Sequence, residues 1–173
     1  AKALHLNVIN IPGDWRRALD PTLLEEKLKE DKNYEIKGVL IIHTETATGV
    51  TNDLPSLRKA LDSANHPALF LVDTVAAVGT VDYQMDNWGI DVTVTASQKG
   101  LMMPPGLGIV AANEKALKIH QKSQMPKLYW DWNTRLEAEH YRKFCGTAPQ
   151  LMIFGMREAL DMIFEEGLEN IYE

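Results

Sequence analysis

Residues 69–108 read LFLVDTVAAVGTVDYQMDNWGIDVTVTASQKGLMMPPGLG. Two runs of strand length and rich in Val, Ile and Leu frame the stretch, Ala68 to Asp73 and Ile90 to Ala96, and residues 74–89 between them leave room for a crossover to a neighbouring parallel strand. Working outward, Gly38 to His43 (GVLIIH) and Leu107 to Ala112 (LGIVAA) are two further runs of the same kind. Their near-continuous hydrophobicity predicts strands covered on both faces. Only ten residues, SQKGLMMPPG, separate Ala96 from Leu107. That is too few for a helical crossover, so the last run is expected antiparallel to its neighbour or at the sheet margin.

The segments between these runs have helical period. Asp20-Pro21 reads as an N-cap followed by the first helical residue, with Leu23, Leu24 and Leu28 on one face. Leu57, Ala60, Leu61 and Ala64 form an i, i+3, i+4, i+7 stripe over Ser56 to Ala64. Glu114 to Lys122, Asp131 to Phe144 and Ala148 to Glu166 also read as helices, the last with Leu151, Phe154, Ala159 and Ile163 apolar and Gly167 as its stop. Strands alternating with helices predict an α/β fold, a three-layer sandwich with a mostly parallel sheet flanked by helices.

The 173 residues are 45% hydrophobic, the size of one domain and enough for a core, which excludes disordered, collagen-like and disulfide-scaffold classes. Eighteen Lys and Arg against 24 Asp and Glu give a net charge of −6 without large like-charge blocks. This offers no electrostatic footprint for nucleic acid or an anionic membrane, so small molecules and protein partners are expected. The one cysteine, Cys145, has no nameable partner base and reads as a bystander; the five histidines match no zinc-ligand spacing and read as surface or hydrogen-bonded residues, so no metal is expected. No apolar run approaches the ~20 residues that span a bilayer, and the first residues lack a secretory h-region. An intracellular location is expected, cytoplasmic for a bacterial source.

In open α/β sheets ligands collect beyond the carboxyl ends of the strands. Three of the four runs end in polar residues: His43 to Gly49, Asp73-Thr74, and Ser97-Gln98-Lys99-Gly100. Alone, an aspartate there is most often a turn former and a lysine most often a solvated side chain. Together, Asp73 and Lys99 follow two strands joined by one crossover and fall side by side on one sheet edge. An amine and a carboxylate so placed fit pyridoxal phosphate, whose aldehyde bonds to a lysine and whose pyridine nitrogen takes an anionic partner. Gly106-Leu107-Gly108 is not a dinucleotide fingerprint, since it precedes a strand and no third glycine follows. Trp88, Trp130 and Trp132 read as core or interface residues, and Tyr129 to Trp132 as cover for a subunit interface.

The motifs VDTVAAVG, WGID, SQKG and PPG, in this order and spacing, resemble the class V, fold-type I aminotransferases, most closely the serine–glyoxylate and alanine–glyoxylate members. HTETATGV is similar to that family's HxETSTG segment and REALDMIFEEGLEN to its helix after the cofactor region, so the resemblance covers nearly the whole chain. It implies that Lys99 bonds covalently to pyridoxal 5'-phosphate, that Asp73 pairs with the ring nitrogen and that Val75 packs on a ring face. It further implies that Thr46 lies near the ring O3′, Gln98 near the phosphate, and that Thr147 reaches the phosphate of the other subunit of a homodimer. Some members carry a tyrosine where this chain has Phe144, which cannot donate a hydrogen bond and leaves Thr147 as that contact.

The implied reaction moves an amino group from serine or alanine to glyoxylate or another 2-oxo acid. Phosphoserine aminotransferases and cysteine desulfurase-like lyases of the same fold are the runners-up; the lyases typically carry histidine where this chain has Gln98. A non-catalytic piece with only a folding or association role is the alternative of another class. In the family a glycine-rich phosphate loop precedes the matching segment, and a small domain with a substrate-carboxylate arginine follows it. Residues 1–173 are therefore expected to be the central part of the large cofactor-binding domain, inactive alone.

Overall fold

Four strands form one sheet in the order β1 (Gly38–Ile42), β2 (Leu69–Asp73), β3 (Val92–Ala96), β4 (Gly108–Ala112) in a computed structural model that describes residues 2–136, 139, 143, 144 and 146–173. β1, β2 and β3 are parallel, with Ile42 opposite Asp73 and Asp73 opposite Val94. β4 returns antiparallel to β3, as its short connection requires, pairing Ala96 with Gly108. The three parallel strands thus present their carboxyl ends along one edge.

Helices α1 (Pro21–Glu30) and α2 (Leu54–Ser63) cover one face of the sheet. Leu24 and Leu28 of α1 and Leu54, Leu57, Ala60 and Leu61 of α2 pack with Val39, Ile41, Phe70, Val72 and Ile90 in one core. Full burial of a side chain such as Phe70 or Leu61 contributes about 1.5–3 kcal/mol, so this layer holds the sheet. α1 starts where the sequence places it, with the Asp20 carboxylate accepting the Thr22 N–H. α2 starts earlier than its apolar stripe indicates, because Asp53 caps it and Pro55 occupies its first turn. The expectation of cover on both faces does not hold for β1. Its residues alternate, and Leu40, on the face that α1 and α2 leave open, is 72% exposed.

The Asp53 carboxylate accepts both the Ser56 N–H and the Ser56 hydroxyl, and these two bonds hold it below the usual aspartate range. A depressed folded-state pKa adds stability above the ordinary value of 3.8 that is lost as pH falls through the lowered one. Asp53→Ala is expected to cost about 1 kcal/mol at neutral pH. In urea melts run at a series of pH values the difference from wild type should shrink as the medium is acidified below the aspartate range. A difference constant down to strong acid would show that the charge contributes nothing.

Past β4 come α3 (Glu114–Lys122), α4 (Trp132–Leu136), α5 (Gln150–Glu166) and α6 (Leu168–Tyr172). Of the helix expected over Asp131 to Phe144, α4 is the α-helical part among the described residues; Cys145 and His140 lie outside them. α5 corrects the assigned stripe: Ala159 and Ile163 are buried, but Leu151 and Phe154 are 87% and 71% exposed. The inward side instead carries Met152 against Gly106 and Gly155 against Met103, so the helix sits on the loop that precedes β4. Gly167 ends it with a φ of 86°, and α6 follows at once, an element the sequence reading did not include. No described helix is long and apolar enough to cross a membrane.

Candidate functional site

Each parallel strand delivers one candidate segment to the shared edge. After β1, residues 43–52 close into a loop in which Glu45 N–H bonds Val50 O (2.9 Å), Gly49 N–H bonds Glu45 O (2.8 Å), and Thr44 faces Thr51. Buried Asn52 anchors it, its amide donating to Ile42 O at 2.8 Å and its carbonyl accepting Leu19 N–H at 2.8 Å. Thr46 is exposed on this loop.

After β2 the chain turns at once. Thr74, fully buried, donates its N–H and its hydroxyl to Val94 O at 2.8 and 3.0 Å, which locks the end of β2 to β3. Thr74 O then accepts the N–H groups of Ala77 and Val78, starting the turn that ends at Gly79. The Asp73 carboxylate, half-buried, uses Oδ1 to accept the Val75 N–H at 2.9 Å; Oδ2 has no donor among the described residues.

After β3, buried Ser97 leads into exposed Gln98 and Lys99. Lys99 O accepts Met102 N–H at 2.9 Å, and the Lys99 amine has no hydrogen-bond or ion-pair partner among the described residues. Two glycines then bring the second and third segments into backbone contact. A Cβ on Gly100 would stand 2.3 Å from Val78 O, and one on Gly79, where φ is +81°, would stand 2.8 Å from Gly100 O. Only hydrogen fits at either position. The turn that follows Asp73 therefore abuts the residue that follows Lys99.

Of the residues singled out from sequence, Thr46, Asp73, Val75, Gln98 and Lys99 lie in segments on the one edge. Thr147, on the connection into α5, is exposed, as is Phe144, and the structure gives Thr147 no hydrogen bond to any of the others. Thr74 and Ser97, which set the backbone geometry, were not singled out; the available signal was a small hydroxyl residue at the end of an apolar run. His43 departs from the expectation of a surface or hydrogen-bonded histidine. It is buried against Tyr83 and Trp88, with ring centroids 5.6 and 5.9 Å away, and its Nδ1 has no partner among the described residues. Burial pushes its pKa below the usual histidine value, partly offset by the Asp82 carboxylate. Among the described residues no group of His, Cys, Asp and Glu is arranged to hold a metal.

An unpaired amine and a carboxylate with one free oxygen, on adjoining backbone segments at a sheet edge, suit a ligand that carries both a carbonyl carbon and a protonated ring nitrogen. Comparison with known proteins points the same way. The chain is 46% identical over 171 residues to the serine–glyoxylate aminotransferase of Arabidopsis thaliana, covering 98% of this chain and 43% of that one. To the L-aspartate–glyoxylate aminotransferase of Paracoccus denitrificans it is 40% identical over 167 residues, covering 96% of this chain and 42% of that one. The crystal structure of an alanine–glyoxylate aminotransferase from Nostoc sp. superposes with a TM-score of 0.79 at 29% identity, covering 94% of this chain and 42% of that one. The chain spans less than half the length of these relatives. The family model for class V aminotransferases matches residues 1–173, and the chain belongs to that family.

Proposed function

We propose that residues 1–173 form the central part of the cofactor-binding domain of a pyridoxal-phosphate-dependent aminotransferase that passes an amino group from a small amino acid to glyoxylate. The observation that carries this reading is the free Lys99 amine on a loop abutting the turn after Asp73. Support for the acceptor comes from the relatives, named for glyoxylate with serine, aspartate or alanine as donor. The varied donors leave the class "small amino acid" as the reading for this chain. A homodimer, with Thr147 reaching the partner's cofactor phosphate, belongs to the same proposal.

Bound pyridoxal phosphate supplies the electron-withdrawing ring that makes an amino-acid Cα–H acidic. Lys99 would hold the group covalently, and its amine, when not so bonded, would serve to accept and return the proton of the substrate Cα–H. Asp73 Oδ1 already accepts the Val75 N–H, and Oδ2, which has no donor among the described residues, would accept from the ring nitrogen and favour its protonated form. An opposite charge at this range is worth about 1–3 pK units. Val75, placed by that same bond, would pack on a ring face, Thr46 would serve the ring oxygen substituent and Gln98 the phosphate.

Borohydride treatment of the full-length, cofactor-loaded protein, followed by peptide mapping, tests the assignment and should place the pyridoxyl label on Lys99. Lys115, the nearest competitor in sequence, already binds Asp91 and Ala68 O at 3.0 Å. A label there would overturn the reading. Asp73→Asn should fold and transaminate poorly, losing about tenfold in kcat for each pK unit of ring protonation forfeited. Turnover equal to wild type would remove Asp73 from the mechanism.

A further inference from the structure

We propose that Ser97 is a positioning residue that sets where the Lys99 amine stands; the inference rests on the reading of Lys99 given above. Ser97 is the one residue through which both ends of the Lys99 loop are tied. Its hydroxyl donates to Pro104 O at 2.7 Å and accepts the Leu107 N–H at 3.2 Å. Its own N–H donates to Leu107 O at 3.1 Å, and its carbonyl accepts the Met103 N–H at 3.0 Å. Every polar group of Ser97 is thus used, and the residue is fully buried.

The geometry makes this more than local packing. The bond from Met103 to Ser97 closes a ring of chain with Lys99 inside it. That ring is drawn tighter by the Met102 N–H to Lys99 O bond and by Met102 in the left-handed region at φ 56°. From the other side Gly100 presses on Val78 O and Gly79, on the turn that starts from Asp73. The Lys99 side chain has no partner of its own among the described residues, so what the protein fixes is the backbone from which the side chain reaches, and with it the space near Asp73 that the amine can enter. Side-chain replacement at Ser97 leaves the two backbone bonds but strips Pro104 O and Leu107 N–H of a buried partner. Pro104 is then released and Leu107 is held only through its carbonyl, so this side of the loop can shift, and the Lys99 ring with it. Misplacing a reacting group by about 1 Å can cost roughly a hundredfold in rate.

Ser97→Ala in the full-length apoprotein tests the inference, with Ser97→Cys, which keeps a weak donor and acceptor, as the second variant. Two measurements are paired. One is the rate at which added pyridoxal phosphate becomes borohydride-fixed on Lys99. The other is the affinity for 4′-deoxypyridoxine 5′-phosphate, which has no aldehyde and cannot bond to the lysine. Expected for Ser97→Ala is labelling slowed tenfold or more with analogue affinity within twofold of wild type, and for Ser97→Cys an intermediate rate. Labelling at the wild-type rate would overturn the proposal, as would an analogue affinity that falls by the same factor as the labelling, since Ser97 would then hold the whole site. Should Ser97→Ala fail to fold, the Ser97→Cys rate decides alone: slowed labelling supports the proposal and wild-type labelling ends it. Wild-type protein labelled elsewhere than Lys99 would sink the underlying reading of the site, a result distinct from either.

Discussion

Lys99→Arg in the full-length enzyme should keep a cation at the carboxyl end of β3 and lose roughly 10²–10⁴-fold in kcat, the usual worth of a positioned acid–base group. The guanidinium stays protonated at any working pH and so cannot accept the Cα proton, the role proposed above for the lysine amine. Nor can it form the covalent bond to the cofactor aldehyde proposed for the lysine. Because the Lys99 amine has no protein partner among the described residues, its removal leaves no buried group unsatisfied, and the fold should survive. Lys99→Ala separates the two roles. Its loss should be comparable, and added ethylamine, a free base small enough to enter the space vacated by the side chain, should restore part of the rate as pH rises through the amine's own pKa. Single-turnover measurement of amino-donor consumption reads both variants. Loss of less than tenfold in Lys99→Arg would show that another group moves the proton.

How far the sequence disclosed this site follows from what each residue must do. The placement of Asp73 and Lys99 on one edge was legible because an aspartate closes one apolar run and a lysine follows the next, and because the parallel pairing of β2 with β3 follows from the length between them. The antiparallel β4 was legible for the opposite reason, a connection too short to cross. Ser97 and Thr74 were not, since a hydroxyl residue after a strand reads alike whether it is solvated or fully buried and bonded. The contact between Gly79 and Gly100 joins positions 21 residues apart, and no local pattern carries it. α5 was misread for a different cause: apolar residues lie all round it, so period alone cannot choose the inward side, and Met152 and Gly155 settled it by packing on the loop before β4. The open face of β1 escaped the reading because an apolar run looks the same whether one face or both are covered. The start of α2 was available in Asp53 and Pro55, a capping signal that the apolar stripe outweighed.

At the opposite end of the strands, Asp91→Ala should cost about 2–4 kcal/mol of folding stability, because it leaves the Phe70 N–H and the Asn113 amide without their acceptor. Asp91 is almost fully buried and bonds in four directions. Oδ2 accepts the Phe70 N–H at 2.8 Å and the Lys115 amine at 3.0 Å, while Oδ1 accepts the Asn113 amide at 2.8 Å. Its own N–H donates to Phe70 O at 2.9 Å. One carboxylate thereby ties the start of β2 to the start of β3 and to the capping residue of α3, where Asn113 also accepts the Ala116 N–H. Truncation removes an acceptor from a backbone N–H, an amide and an ammonium together, which is why the cost exceeds that of one hydrogen bond. Lys115 is placed differently. With its side chain 41% exposed, solvent screens its pairing, and in Lys115→Met the Asp91 carboxylate keeps the Phe70 N–H and the Asn113 amide as donors, so that variant should cost less than Asp91→Ala, about 1 kcal/mol. Urea melts of both single variants and the double variant measure the asymmetry. Because the site lies at the other end of β2 and β3, kcat of folded Asp91→Ala should match wild type. A loss under about 1 kcal/mol for Asp91→Ala would mean that water replaces the carboxylate there, and that the strand ladder alone holds this end of the sheet.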